Sequence, residues 1–71
     1  MATTVTAHIA GTVWKIEVKM GDAVAAGQTL VILESMKMEM PVEAPSGGRV
    51  AAVHVKEGDA VAEGAALVDV G

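Results

Sequence analysis

The sequence predicts an all-β fold, a flattened barrel or sandwich of two four-stranded antiparallel sheets with quasi-two-fold internal symmetry and an exposed hairpin at its centre. Three observations predict it: the chain contains a duplication, short β-branched runs alternate with glycine turns, and the apolar pattern reverses at the midpoint. With 71 residues, 52% apolar content and no cysteine, a packed apolar core is the only available source of stability. We therefore expect residues 1–71 to form a single domain.

The duplication emerges when residues 11–34 are laid over residues 48–71. At this offset of 37 residues, twelve of the twenty-four aligned positions are identical, including the Gly-Asp dipeptides at 21–22 and 58–59. Two copies are too few to stack as a solenoid. The duplication therefore predicts a pseudo-two-fold domain in which each copy supplies half of the strands.

Each copy is predicted to form strands rather than helices. The AVAAG and AVAEGAA stretches are rich in alanine, but glycine interrupts each after about one turn, and helices this short are unstable alone. Besides one strand after the midpoint, the predicted strands are residues 5–9, 13–18, 23–24, 29–33, 49–55, 60–61 and 66–70. The glycines predicted to lie in turns are Gly11, Gly21, Gly27, Gly48, Gly58 and Gly64.

The midpoint of the chain is predicted to reverse direction. Val31 and Leu33 are odd-numbered, whereas Met40 and Val42 are even-numbered, so one straight strand would put these pairs on opposite faces. A two-residue turn at positions 36 and 37 places all four on the inner face, because residues whose numbers sum to 73 then face each other. An unbroken strand across this region would also be much longer than usual.

The turn residues themselves are unusual for a tight hairpin. A two-residue type I′ turn needs positive φ at both central positions and normally uses Asn-Gly, but here they are Met36 and Lys37. The same register sets Glu34 opposite Glu39 on the outer face, where like charges repel. Local rules broken at an exposed, central position indicate a functional constraint. Lys37 is the residue that such a turn would hold furthest into solvent.

Composition and charge exclude several classes of function. Nine acidic against five basic side chains, with Trp14 as the only aromatic residue, argue against nucleic-acid binding. No apolar run is long enough for a membrane span and the start lacks a signal peptide, so we expect a cytoplasmic protein without membrane partners. We also expect the chain to be a monomer in isolation. His8 and His54 are too isolated for a metal site, and no catalytic dyad or triad is evident, which argues against an autonomous enzyme.

The residues around Lys37 resemble a known family. ESMKMEM at the midpoint, with VKMGD and VKEGD in the two copies and APSGGRV after it, is similar to the biotin carboxyl carrier and lipoyl-attachment family, especially its small free-standing members. The resemblance covers essentially the whole chain. It implies that a biotin protein ligase joins biotin to Lys37 through an amide. It also implies that the biotin shuttles a carboxyl group between biotin carboxylase and carboxyltransferase partners of an acyl-coenzyme A type carboxylase.

The neighbours of Lys37 leave alternatives open. In the family, methionines at the positions of Met36 and Met38 are typical of the biotinylated type, and we expect these two residues to serve recognition by the ligase or the carboxylase. Glu34 and Ser35 instead resemble the context of lipoylated domains, which keeps lipoate attachment for a 2-oxo acid dehydrogenase-type complex as an alternative. Glu34 and Glu39 could contact a basic surface of the ligase or the carboxylase, or merely keep the exposed edge soluble.

A third alternative is an unmodified interaction module of the same fold. Such modules in membrane-fusion adaptors usually insert a helical hairpin at the midpoint, where this chain has two turn residues. Lys19 and Lys56, the nearest competing lysines, each precede a Gly-Asp turn, and we expect neither to be modified.

Overall fold

The computed structural model describes residues 2–71, which form eight β-strands. In the described part of the chain there is no helix, and so none that could cross a membrane. The strands are β1 (Thr3–Thr6), β2 (Gly11–Ile16), β3 (Ala23–Val24), β4 (Thr29–Ser35), β5 (Met38–Glu43), β6 (Gly48–Val53), β7 (Ala60–Val61) and β8 (Ala66–Val70).

The strands form two four-stranded antiparallel sheets, which confirms the predicted fold class. The first, here called the hairpin sheet, has the order β5-β4-β2-β7, and the second, called the rear sheet, has the order β1-β8-β6-β3. The two short strands cross over between the copies: β3 pairs with β6, and β7 pairs with β2. Each sheet therefore contains two strands from each half of the chain.

The two sheets repeat one another in register. In the hairpin sheet, β2 and β4 shift register between Val13 and Lys15, which leaves Trp14 as a bulge. In the rear sheet, β6 and β8 shift between Val50 and Ala52, 37 residues further along, and the bulged residue is Ala51. The internal two-fold symmetry thus extends to the position of the bulge.

The core between the sheets is entirely aliphatic. Leu30, Leu33 and Leu67 are fully buried, and no polar or charged side chain is buried among the described residues. Leu30 and Leu67 are 37 residues apart and so occupy equivalent places in the two copies. Because the chain has no cysteine and only one aromatic residue, these leucines and the surrounding valines supply most of the hydrophobic stabilisation. The buried set is Val5, Ala7, Val13, Val18, Val24, Leu30, Val31, Leu33, Val42, Ala44, Val50, Leu67, Val68 and Val70.

Several predicted strand boundaries were wrong. The first strand ends at Thr6 rather than at residue 9, because its register shifts after Val5 and Ala7 then bonds to the turn before β8. The Ala7 amide donates to the Ala65 carbonyl at 2.9 Å, and the Gly64 amide donates to the Ala7 carbonyl at 2.8 Å. The strands predicted at 13–18 and 49–55 also end two residues early, at Ile16 and Val53. At these points the chain leaves one sheet to reach the other.

Gly11 and Gly48 are strand residues, so their prediction as turn glycines was wrong. A Cβ on Gly11 would lie 2.5 Å from the carbonyl oxygen of Glu34, and one on Gly48 would lie 2.9 Å from that of Gly71. Both positions need glycine because a neighbouring backbone approaches closely. The other four glycines have positive φ, as turns require, and that part of the prediction is confirmed.

The outer face of the rear sheet carries a polar contact that was not predicted from the sequence. His54, predicted to be simply solvated, has its Nε2 3.0 Å from Oδ2 of Asp69. The Thr4 side chain, opposite Asp69 in the strand pair, and then His54 hold the pKa of the Asp69 carboxyl below its ordinary value of 3.8.

This pairing predicts a pH-dependent contribution to stability. A carboxyl whose pKa is lower in the folded than in the unfolded state stabilises the fold above its unfolded pKa and loses that contribution as pH falls through its folded pKa. We expect the difference in melting temperature between the wild type and Asp69→Asn to be fully present well above pH 3.8 and to shrink as the pH falls below that value. Thermal unfolding followed by circular dichroism across this range checks it; a difference that grows in acid would contradict it.

Candidate functional site

The chain reverses at Met36 and Lys37, the turn that joins β4 to β5. Their φ angles are 53° and 64°, so both occupy the left-handed region that a type I′ turn requires. The strand pairs run from Ser35 opposite Met38 through to Val31 opposite Val42, and each pair sums to 73. The predicted hairpin and its register are confirmed.

The predicted site residues are gathered on this hairpin, mostly in solvent. Met36 is 89% exposed and Met38 59%, values far from those of core methionines. Lys37 is exposed, and within residues 2–71 no carboxylate lies at ion-pair distance from its amine. The other predicted recognition residues are Glu34 and Glu39, which are exposed, and Ser35, which is partly buried. The geometry thus offers one unencumbered primary amine at the end of a tight turn.

The left-handed turn costs stability because its residues carry side chains. A non-glycine residue in this conformation costs about 1–2 kcal/mol relative to its favoured conformations. We expect Met36→Gly to raise the free energy of unfolding by about 1 kcal/mol. Urea denaturation measures it, with Met38→Gly as the control, because glycine at that strand position should instead lower stability by about 0.5–1 kcal/mol. A loss of stability in Met36→Gly would contradict the turn geometry.

The base of the hairpin is held firmly by the core and by β2. Leu33 is fully buried and faces Met40, which is only partly buried, although both were predicted on the inner face. On the other side of β4, the bare Cα of Gly11 lets β2 pack close against the carbonyl of Glu34. The exposed turn is consequently mounted on a rigid support.

The sequence that forms this fold and hairpin matches a known protein family. The family model Biotin_lipoyl, described as biotin-requiring enzyme, matches residues 1–70. The chain belongs to the biotin/lipoyl family. This confirms the resemblance noted from the ESMKMEM motif.

Two curated proteins illustrate the relationship within the biotin/lipoyl family. The biotin/lipoyl attachment protein of Bacillus subtilis is 54% identical over 41 residues, which cover 58% of this chain and 56% of that protein. The methylmalonyl-CoA carboxyltransferase 1.3S subunit of Propionibacterium freudenreichii is 67% identical over 33 residues, covering 46% of this chain and 27% of that subunit. The similarity therefore spans about half the length of the attachment protein and about a quarter of the length of the 1.3S subunit.

Solved structures extend the similarity to the whole fold. The crystal structure of Kluyveromyces lactis urea carboxylase contains a region that superposes with a TM-score of 0.93 at 34% sequence identity, covering 99% of this chain and 6% of that one. A single-chain, multi-domain long-chain acyl-CoA carboxylase matches with a TM-score of 0.91 at 35% identity, covering 96% of this chain and 7% of that one. This biotin/lipoyl family member thus has the fold of a small part of large carboxylases.

Glu34 and Glu39 face each other across the hairpin on the outer face of its sheet. Both are exposed, so water screens their repulsion, but like charges directly opposite each other still destabilise a sheet. Basic side chains of a partner would relieve this repulsion. That these two glutamates and Ser35 act in recognition stays a prediction.

The competing lysines lie in a different structural setting from Lys37. The backbone amide of Lys19 donates to Oδ2 of Asp22 at 2.9 Å, and that of Lys56 donates to Oδ2 of Asp59 at the same distance. Both lysines therefore begin compact turns closed by the following aspartate. Lys15 is 3.4 Å from Glu17 and forms an exposed ion pair. Of these lysines, none lies at the tip of a two-residue hairpin.

An apolar surface next to the hairpin was not predicted from the sequence. Its tryptophan, Trp14, is 48% exposed at the bulge in β2. Ile32 lies opposite both Lys15 and Pro41, so it occupies the centre of the same region. The sequence did contain one indication of this surface. At the 37-residue offset, Trp14 aligns with Ala51, so the two copies differ at this position by a large apolar side chain.

Proposed function

We propose that this chain is a biotin carboxyl carrier in which Lys37 bears biotin through an amide bond. The observation that supports this most directly is the exposed lysine amine at a strained two-residue turn in a member of the biotin/lipoyl family. A single amine in this setting fits covalent attachment, because a modifying enzyme can reach it without unfolding the chain. We further propose that residues 1–71 act as one carrier domain.

Attachment needs a partner enzyme because a lysine amine in water is mostly protonated at neutral pH. The amine of Lys37 first loses a proton to a base of the biotin protein ligase and then attacks the acyl carbon of biotinyl-adenylate. The new amide bond forms as the bond to AMP breaks, so AMP is the leaving group. Met36 and Met38 border the amine with exposed apolar side chains suited to contact the ligase around it.

The carrier role follows from mounting a flexible arm on a rigid body. Biotin supplies a ring nitrogen that can accept and release a carboxyl group. Leu33 and Gly11 fix the base of the hairpin, whereas the Lys37 side chain is free in solvent, so the arm can visit two active sites in turn at a high effective concentration. We propose a biotin carboxylase and a carboxyltransferase as these partners, with the chain itself as a non-catalytic, monomeric carrier in the cytoplasm.

The similarity to carboxylases and to a carboxyltransferase subunit supports this choice of partners. One relative is a methylmalonyl-CoA carboxyltransferase subunit, and the structural neighbours are a urea carboxylase and an acyl-CoA carboxylase. Lipoate on Lys37 is the second candidate, which the Glu34-Ser35 context favours.

Intact mass after coexpression with a biotin protein ligase, and separately with a lipoate ligase, tests the proposal. We expect one biotin per chain; lipoyl addition alone would overturn the cofactor, and no addition would favour an unmodified module.

A second step tests the carrier function itself. The biotinylated chain is incubated with a biotin carboxylase, ATP and labelled bicarbonate, and protein-bound label is measured with the unmodified chain as the control. We expect label on the biotinylated chain only. Biotinylation without any acceptance of the carboxyl group by several biotin carboxylases would contradict the carrier function.

A further inference from the structure

The internal symmetry provides a built-in comparison between the two outer faces of the molecule. Positions 37 residues apart have the same strand, register and bulge, so differences between them do not arise from the fold. The hairpin sheet is apolar at three outer positions where the rear sheet is small or polar. The equivalent pairs are Trp14 and Ala51, Ile32 and Asp69, and Pro41 and Thr4.

The three apolar residues lie together on the hairpin sheet. Ile32 is flanked by the fully buried Val31 and Leu33, so alternation directs it outward, where it is only partly buried. Pro41 is exposed directly opposite it on β5, and Trp14 stands at the bulge beside the same part of β4. A half-exposed tryptophan beside two aliphatic side chains is the composition found at the centre of protein interfaces.

This apolar group is continuous with the hairpin. Along the same outer face, the pair of Glu34 and Glu39 lies between the apolar residues and the turn that bears Lys37. The surface therefore presents, in order from the turn, a primary amine, two carboxylates and an apolar patch. On the rear sheet, the position equivalent to Ile32 is occupied by Asp69, whose Oδ2 lies 3.0 Å from Nε2 of His54.

We propose that this surface, the docking face formed by Trp14, Ile32, Pro41, Glu34 and Glu39, binds the enzyme that acylates Lys37. The assigned occupant presents an apolar contact to Trp14 and basic side chains to the two glutamates, as the exposed carboxylates and the net charge of −4 favour. Because the partner is the acylating enzyme, this assignment rests on the proposed function.

The length of the lysine side chain favours the acylating enzyme over the later partners. Before attachment, Lys37 has only four methylene groups, so that enzyme must close around the hairpin to bring its activated acyl group to the amine. After attachment, the longer arm lets other enzymes work from further away. A transient contact of this kind buries less than about 600 Å² on each partner, which the docking face and the turn can supply.

The test compares the kinetics of biotin attachment in Trp14→Ala and the wild type. With a purified biotin protein ligase, biotin and ATP, and the full chain as the varied substrate, we expect the KM of Trp14→Ala to rise about tenfold and kcat to stay within about twofold. A binding surface away from the reacting atoms should act on KM alone. Pro41→Thr places at position 41 the residue type of Thr4, its equivalent on the rear sheet, and should raise KM about threefold. This second variant keeps the test valid if Trp14→Ala fails to fold.

Composition-matched controls use the internal symmetry. Ala51→Trp adds the same side chain to the equivalent rear bulge and should keep the wild-type KM, whereas Trp14→Ala combined with Ala51→Trp should behave like Trp14→Ala. Rescue by the displaced tryptophan would overturn the docking face, since any exposed tryptophan would then suffice. Unchanged KM in both Trp14→Ala and Pro41→Thr would overturn it as well.

Other outcomes separate this assignment from the proposed function. A wild-type chain that the ligase does not modify defeats the proposed function itself. Normal attachment in Trp14→Ala, with slower carboxylation of its biotin, would assign the face to the biotin carboxylase and overturn the acylating enzyme as its occupant. A wild-type dimer that becomes monomeric in Trp14→Ala, measured by analytical ultracentrifugation, would likewise assign the face to a second copy of the chain.

Discussion

Arginine in place of Lys37 is expected to abolish biotin attachment while leaving the fold unchanged. The guanidinium keeps the positive charge and long stem at the exposed turn, but it stays protonated and cannot act as the acyl acceptor. Because Lys37 is solvent-exposed and at ion-pair distance from no carboxylate in residues 2–71, the substitution breaks no ion pair there. Intact mass and streptavidin blotting after coexpression with a biotin protein ligase measure the loss.

Matched substitutions at other lysines complete this experiment. Lys19→Arg and Lys56→Arg, made at the two turns closed by aspartates, should be biotinylated to the wild-type extent. Biotin that remains on Lys37→Arg would contradict the site, and its transfer to Lys19 or Lys56 would show that the ligase accepts a different geometry. The three variants together test position, since every one of them removes a single lysine and keeps its charge.

Leu30→Ala is expected to remove a large part of the stability of the domain. Leu30 is fully buried, and truncation of such a leucine costs about 2–5 kcal/mol through lost burial and the cavity left behind. Small domains have total stabilities near the lower end of about 5–15 kcal/mol, so much of the reserve would be lost. Urea denaturation followed by circular dichroism measures the change in unfolding free energy.

Leu67→Ala is the natural companion, because Leu67 occupies the equivalent place in the second copy and is also fully buried. We expect the two losses to agree to within about 1 kcal/mol, since the same type of cavity forms in pseudo-equivalent surroundings. A loss below about 1 kcal/mol for either variant would contradict the packing described for the core. Losses of very different size would show that the two halves of the core differ in how far they relax.

The fold and the hairpin were predictable because their signals are strong and local. The duplication indicated two copies, and the change of parity between Leu33 and Met40 favoured a turn at positions 36 and 37 over an unbroken strand. Strand ends were harder to predict, since residues 7–9 have strand-like composition, but the backbone of Ala7 bonds to the turn before β8. Tertiary contacts of this kind leave no pattern in a single sequence.

Features that depend on pairs of distant residues escaped prediction for the same reason. The close approach that requires glycine at position 11 arises from the carbonyl of Glu34, and the His54–Asp69 contact joins the residue after β6 to β8. The bulge that exposes Trp14 follows from a register shift between β2 and β4. The contacts and exposure of these residues can be predicted only when the pairing of the strands is known.

The exchange of the short strands β3 and β7 between the two sheets makes the halves of the chain mutually dependent. A fragment ending at Lys37 would contain β2 without its partner β7, and the remaining fragment would contain β6 without β3. Neither fragment could close its own sheet, so we expect separate fragments to be unstructured and to fold only when mixed. In the intact chain, the same reciprocity should make amide protons of both copies exchange with solvent in one cooperative opening.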